Sequence, residues 1–356
     1  MNKLIKSVLT KLEENGYKSY LVGGYVRDYL LGIKSYDVDI CTEALPKEIH
    51  FLFNICTNNY GGANLKIDKY NIDITTFRSE SNYKNRKPTE VKYIGSLKQD
   101  LLRRDFTINS ICMDKEGNII DLLNGIEDLN KCHIKMIGDP YIKLKEDPLR
   151  ILRAIRFATV LDFDLDNELL DAIKCNYKLV GELSKERIKA ELDRILINKN
   201  FQKGLNLLKK FKLTEVIGLD YQDINYTKDL IGMWAQIKAN DIPFTNNEKS
   251  NIINITEVIN KKVIDYKTLY RYGLYINLIA GMILNINPKK INRLYKKMPI
   301  KDRKDIDIKG NDIINLLNIE PSKLINTIYE DLENKILSGK LKNEKEKIKE
   351  YLLQRK

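Results

Sequence analysis

The stretch Tyr20–Ile40, YLVGGYVRDYLLGIKSYDVDI, decides the fold. An apolar run, Leu21-Val22, ends at Gly23-Gly24. A segment of helical spacing then runs to Gly32, and the stretch closes on Asp37-Val38-Asp39. The pattern predicts strand, glycine turn, short helix and strand. Glycine lets a backbone approach a ligand closely, and the free N–H groups of the helix after it suit an anion such as phosphate. Side chains alternate along a strand, so Asp37 and Asp39 share one face while Val38 and Ile40 point to the core. Two carboxylates that close repel and call for a cation; hard oxygen ligands beside a phosphate site point to magnesium. Singly, a Gly-Gly pair is an ordinary turn and a D-x-D an ordinary solvated strand end. Joined in one β–α–β-like unit they are far more specific.

Working outward, Met1–Gly16 carries Leu4, Val8, Leu9 and Leu12 on one helical face, with Gly16 as its stop. Thr42–Phe53 predicts a helix with Pro46 in its first turn and Leu45, Ile49, Leu52 and Phe53 inward. Tyr70–Phe77, YNIDITTF, alternates as a strand, with Asp73 on the face of Asn71 and Thr75. Ser79–Lys92, SESNYKNRKPTEVK, is polar and ends in a basic Arg86-Lys87-Pro88. It predicts a mobile loop, with a solvated hairpin as the alternative. Asp100–Met113, DLLRRDFTINSICM, predicts a core-packed helix or turn–helix through Leu101, Leu102, Phe106, Ile108 and Ile111, with Arg103, Arg104 and Asp105 at its edge. Ile119–Lys135 reads as a strand end and loop, and from Tyr141 the periodicity is helical throughout.

Glu146–Phe157, EDPLRILRAIRF, repeats arginine every three residues. Arg150, Arg153 and Arg156 therefore share a helix face, with Leu149, Leu152 and Ile155 on the neighbouring core face. Three aligned cations are favoured only against something anionic or rich in acceptors. If Asp147 and Arg150 meet a base edge, the carboxylate accepts from an exocyclic amine and the guanidinium donates to a bare ring nitrogen. Cytosine and adenine both present that pair; uracil and guanine reverse it. The alternative is a set of helix salt bridges, with Asp147 capping a helix that begins at Pro148.

The pattern Leu21-Val22-Gly23-Gly24-x-Val26-Arg27-Asp28-x-Leu30-Leu31-Gly32, followed by Asp37-x-Asp39 and then by Arg103-Arg104-Asp105-Phe106-Thr107-x-Asn109, resembles the class II tRNA nucleotidyltransferase and poly(A) polymerase family. The resemblance covers most of the chain, closely to about residue 196 and loosely beyond. It implies an α/β N-terminal nucleotidyltransferase head, polymerase β-like (1–139), followed by an all-α neck with the nucleotide-recognition helix (140–200), body (201–299) and tRNA-binding tail (300–356). Asn343–Ile348 is similar to the C-terminal end of short bacterial CCA-adding enzymes. The family's usual threonine after a glycine near Gly62 is Ala63 here.

The activity implied is template-independent addition of CMP, CMP and AMP from CTP and ATP to a tRNA 3′ end. A poly(A) polymerase, an enzyme adding only CC or only A, or a non-catalytic RNA-binding protein on the same scaffold are the alternatives. The resemblance assigns Asp37 and Asp39 to two Mg2+ ions, with Asp73 as a third catalytic carboxylate. It assigns Gly24 and Arg27 to the triphosphate, and Arg104, Asp147, Arg150, Arg153 and Arg156 to the nucleotide. The Ser79–Lys92 segment corresponds to the loop that assists the switch from C to A.

Composition agrees with an anionic partner. Among 356 residues, 61 Lys and Arg against 49 Asp and Glu give a formal net charge of +12. A basic balance favours nucleic acid without proving it. The five cysteines, 41, 56, 112, 132 and 175, form no C-x-x-C and read as free thiols of a cytoplasmic protein. His50 and His133 stand in no metal-ligand spacing. Met1–Thr10 lacks the apolar core of a signal peptide, and no run approaches a membrane span. The expected state is a monomer or homodimer.

Overall fold

The computed structural model describes residues 2–58, 61–84, 87–320 and 323–354, in two compact units, 1–218 and 219–356. The first unit opens with helix α1 (Lys3–Glu14), whose buried side chains are Ile5, Val8, Leu9 and Leu12. Ile5 thus takes the inward place expected of Leu4, which is exposed.

Strand β1 (Ser19–Val22) runs into Gly23, whose φ of +78° only glycine adopts without strain. That turn starts helix α2 (Gly24–Leu30), and the chain returns as β2 (Asp37–Thr42). The expected strand, turn, helix and strand are all present. Along β2 the burial alternates, with Val38 and Ile40 buried and Asp37 and Asp39 exposed. Helix α3 (Pro46–Phe53) begins later than expected because β2 continues through Thr42. Of its expected inward residues only Ile49 is buried, and Leu45, its N-cap, is exposed.

Strands β3 (Gly62–Ile67) and β4 (Tyr70–Thr76) follow. Next come β5 (Arg78–Lys84) and β6 (Lys87–Tyr93), an antiparallel pair. Ser79–Lys92 is therefore a ribbon rather than a loop: inter-strand backbone hydrogen bonds supply the order that its polar side chains do not announce. Residues 85–86, including Arg86 of the expected basic end, lie outside the described residues.

Asp100–Met113 divides into the end of α4 (Leu97–Leu102), a 3-10 turn at Thr107–Asn109 and strand β7 (Cys112–Met113). With β8 (Ile119–Ile120) the six-stranded sheet has the order β3-β4-β2-β1-β7-β8. β2 lies at its centre, antiparallel to β1 and parallel to β4. Val22, Cys41, Phe77, Leu101 and Cys112 form a buried cluster against this sheet.

Helix α5 (Gly125–Asn130) replaces the loop expected in this segment. Helices α6 (Pro140–Glu146), α7 (Leu149–Leu161), α8 (Asn167–Asn176) and α9 (Lys185–Leu196) follow. The arginine-rich segment is thus two helices with a break at Asp147-Pro148. Asp147 is extended (φ −143°, ψ 98°), as the residue before proline is biased to be.

Among its described residues the second unit is built of helices and one two-residue strand pair, Leu219–Asp220 with Lys238–Ala239. Leu269, Ile291, Ile313, Leu332, Ile336 and Ile348 belong to one buried cluster, which spans both sides of residue 300. Among the described residues all five cysteines are free thiols, and no helix is long and apolar enough to cross a membrane.

Candidate functional site

The register of the sheet assembles the acidic centre. Asp39 of β2 pairs with Val22 of β1 on one side and with Asp73 of β4 on the other. Asp37 lies two residues away, opposite Asn71. Neither Asp37 nor Asp39 has a side-chain hydrogen bond or ion pair among the described residues. Asp73 does: its Oδ1 accepts from Asn64 Nδ2 at 2.8 Å.

Asp39 is reached by solvent, yet protein crowds it on several sides. Burial pushes its pKa up; Arg104 pulls the other way, and the charges of Asp73 and Asp37 add to the rise. A carboxylate held at such a cost has a donor set suited to a hard cation. Close packing adds to this. A Cβ on Gly23 would stand 2.7 Å from Asp39 Oδ2, so a larger residue there would have to displace that carboxylate. No group of three or more His, Cys, Asp or Glu arranged to hold an ion occurs among the described residues. Two carboxylates fit the mode in which phosphate oxygens complete the coordination.

These carboxylates open into a cavity of about 540 Å³, lined also by Gly23, Gly24, Arg27, Arg103, Arg104, Asp105, Asn109, Asp147, Arg150, Arg153, Arg156, Phe157, Arg187 and Arg194. Every expected site residue lines it except Asp73, which lies beside Asp39 in the sheet but is not part of the wall.

Hydrogen bonds hold most of the arginines in place. Arg27 is buried on α2, bound through Nε (2.9 Å) and Nη2 (2.6 Å) to Asp28 Oδ1 and through Nη1 to Asn109 Oδ1 (2.7 Å). Asn109 donates in turn to Asp105 Oδ1 at 3.1 Å, and Asp105 Oδ2 accepts from Nε (2.8 Å) and Nη2 of Arg153. Burial alone would raise the Asp105 pKa. The charge and hydrogen bonds of Arg153, with those of Asn109 and the Phe106 N–H, outweigh it and hold the carboxyl at about 2. Arg104 donates to the fully buried Asp100 at 3.3 Å, and its buried Nε has no hydrogen-bond partner among the described residues.

The residues expected to read the base are placed differently from expectation. Asp147 precedes α7 instead of lying within it. Its Oδ1 accepts the Leu149 N–H at 3.2 Å, and its Oδ2 faces Arg187 Nη2 at 3.4 Å. The expected cap contact therefore exists, on one oxygen. Arg150 Nη1 donates to the Lys143 carbonyl (2.8 Å) and to Glu146 (3.2 Å). Its other nitrogens have no hydrogen bond among the described residues. Arg156 lines the cavity but donates to Glu191 at 2.5 Å and stacks 4.0 Å from the Phe157 ring; burial pushes its pKa down to about 10. Leu149, Leu152 and Ile155 are buried, as the periodicity requires.

Sequence reasoning left out Asn109, Phe157, Arg187 and Arg194. Arg187, Glu191 and Arg194 recur at i, i+4 and i+7 on α9, a spacing that puts them on one face. That was the available signal.

Comparison with known proteins agrees with this geometry. A family model described as Poly A polymerase head domain matches residues 19–135. Models described as a probable RNA and SrmB-binding site of polymerase A and as a putative tRNA nucleotidyltransferase domain 2 match 162–221 and 240–352. The CCA-adding enzyme of Ligilactobacillus salivarius is 33% identical, over 95% of this chain and 93% of that one. The chain belongs to the CCA-adding enzyme family. Another member, from Staphylococcus haemolyticus, is 32% identical over 98% of this chain and 96% of its own. The crystal structure of the Bacillus stearothermophilus CCA-adding enzyme in complex with CTP aligns with a TM-score of 0.83 at 24% identity, covering 100% of this chain and 98% of that one. The fold is that of the CCA-adding enzyme family, and the chain is a tRNA nucleotidyltransferase. Membership carries the use of a divalent cation, for which the Asp37–Asp39 donor set is suited.

Proposed function

We propose that this chain adds CMP, CMP and AMP, from CTP and ATP, to the 3′ end of tRNA without a template. The observation that carries the reading is one cavity joining the unpartnered Asp37–Asp39 pair to Asp147 and Arg150. Solved structures of CCA-adding enzymes include complexes with CTP, with ATP and with tRNA.

Asp37 and Asp39 hold Mg2+. Mg2+ held there would supply Lewis acidity toward the RNA 3′-hydroxyl and positive charge for the triphosphate and its leaving group. Phosphoryl transfer needs positioning and charge stabilisation more than a nucleophilic side chain, and the protein supplies both. Gly24 and Arg27 take the triphosphate, with Arg27 fixed by Asp28 and Asn109. Arg104 and Arg153 add positive charge from positions locked by Asp100 and Asp105. Arg156, tied to Glu191, acts chiefly by holding α7 against α9. Asp73 tunes Asp39 by its charge.

Asp147 accepts the exocyclic amine of cytosine or adenine, and Arg150 donates to the adjacent ring nitrogen. Uracil or guanine in that place leaves donors facing donors and acceptors facing acceptors, which costs roughly 1–3 kcal/mol per unpaired buried group. One protein pair thereby selects two bases. Residues 1–139 form the catalytic head, 140–200 the neck, 201–299 the body and 300–356 the tail, and the basic helical C-terminal part grips the tRNA acceptor arm by backbone and shape. The protein works in the cytoplasm as a monomer or homodimer.

The test is incubation with tRNA ending before, within or after CCA, with each nucleoside triphosphate singly and together, followed by sequencing of the products. Completion to CCA and arrest there is the expected result. Runs of A, or arrest at CC, would overturn it.

A further inference from the structure

Beside the segment that leads into β2 lies a second cavity, about 280 Å³, that the reaction above does not use. Its walls include Tyr25, Tyr29, Tyr36 and Tyr70 with Lys34 and Lys69, and no carboxylate. Tyr36 and Tyr70 are held as a pair. Asp37 and Asn71 are register partners, so the residues before them stand side by side, and the Asn71 N–H donates to the Tyr36 carbonyl at 3.0 Å. Their rings meet at 5.9 Å with a tilt of 56°. Lys69 Nζ lies 5.1 Å from one ring centroid and 5.8 Å from the other. Tyr36 and Tyr29 are nevertheless 46% and 51% exposed. Ser35 belongs to the walls of both cavities.

Exposed aromatic faces beside lysines, in a cavity whose walls carry no carboxylate, match a ligand that is both flat and anionic. Single-stranded nucleic acid is such a ligand: bases stack on rings while ammonium groups meet the phosphates. The volume suits one nucleotide. We propose that Tyr36, Tyr70 and Lys69 form a stacking subsite for an unpaired nucleotide of the RNA substrate, upstream of its reacting 3′ end. This rests on the nucleotidyltransfer reading above and deepens it. Because Tyr36 immediately precedes Asp37, a base stacked there anchors the RNA at the end of the strand that carries the carboxylates. Bound RNA is thereby kept in place independently of the incoming triphosphate.

The experiment measures steady-state incorporation with the RNA and the triphosphate varied separately, in the full chain and in Y36A/Y70A, Y36F/Y70F and Lys69→Glu. The expected result is a KM for RNA raised on the order of tenfold in Y36A/Y70A and in Lys69→Glu. The KM for CTP and kcat at saturating RNA stay near the starting values, and Y36F/Y70F behaves as the parent. An unchanged KM for RNA in Lys69→Glu and in a folded Y36A/Y70A overturns the subsite. So does a fall in kcat with no change in KM, which marks a structural role. If Y36A/Y70A does not fold, Lys69→Glu decides alone. Failure of the parent chain to incorporate any nucleotide counts against the reaction itself, so the two failures are distinguishable.

Discussion

Arg187 and Asp147 are paired across forty residues, with Nη2 3.4 Å from Oδ2, while Oδ1 takes the Leu149 N–H. The carboxylate proposed to read the base is thus held on both oxygens in the absence of a base. Arg187→Met frees one oxygen, and Asp147→Ala removes the acceptor altogether. Arg187→Met is expected to raise the KM for CTP and ATP several-fold. Asp147→Ala is expected to cost roughly 1–3 kcal/mol of discrimination and admit UTP or GTP. Incorporation assays with each triphosphate read both. Unchanged base choice in Asp147→Ala would leave that residue as a helix cap.

Asp39 is the carboxylate that folding penalises. Its folded pKa lies above the ordinary value, so the native state binds its proton more tightly than the unfolded chain does. Its contribution is therefore unfavourable once pH exceeds the folded pKa, and that penalty disappears as the group is protonated. Asp39→Asn is expected to raise the melting temperature in chelator and to abolish incorporation, while RNA binding survives. Added divalent cation should raise the melting temperature of the parent more than that of the variant. Retained activity in Asp39→Asn would remove the metal assignment.

Gly23→Ala tests the close approach of the glycine turn to that carboxylate. The new Cβ would stand 2.7 Å from Asp39 Oδ2, at a φ of +78°. The expected result is a folded protein, less stable by about 1–2 kcal/mol, with activity down at least about tenfold and only partly restored by excess divalent cation. Thermal melts and cation titrations of the rate measure it.

Asp105 contributes stability of the opposite sign. Its folded pKa, about 2, lies below the ordinary value. The stabilisation is complete above about pH 4 and is lost as pH falls through about 2. Asp105→Asn leaves the Arg153 guanidinium without its counter-charge. Solvent reaches Arg153 (side chain 33% exposed), so the expected loss is trimmed to about 1–3 kcal/mol. Denaturant titrations at pH 7 and across the acid range should show the parent losing that margin and the variant showing a shallower acid dependence.

Much of the site was legible in the chain. Gly23-Gly24, Asp37-x-Asp39 and the Arg150, Arg153 and Arg156 repeat each follow a local period, and local periods survive folding. The errors are local competitions as well. Proline at 148 split one expected helix in two, placing Asp147 in the break. Strand pairing turned the polar Ser79–Lys92 segment into a ribbon. Ile5, not Leu4, completes the buried face of Val8, Leu9 and Leu12, because 5, 8, 9 and 12 follow the i, i+3, i+4, i+7 spacing.

By itself the sequence determined the glycine turn, the shared face of Asp37 and Asp39 and the arginine helix, because backbone geometry sets these from neighbours a few residues away. Only the tertiary structure decided which arginines are already paired, that Arg187 and Arg194 join the wall, and that Asp73 lies beside Asp39 yet outside the cavity. Those facts depend on which strand lies against β2 and on where α9 crosses α7. Contacts between segments far apart in the chain, such as Asp39 with Asp73 and Arg156 with Glu191, settle most of them, and no local pattern encodes such contacts.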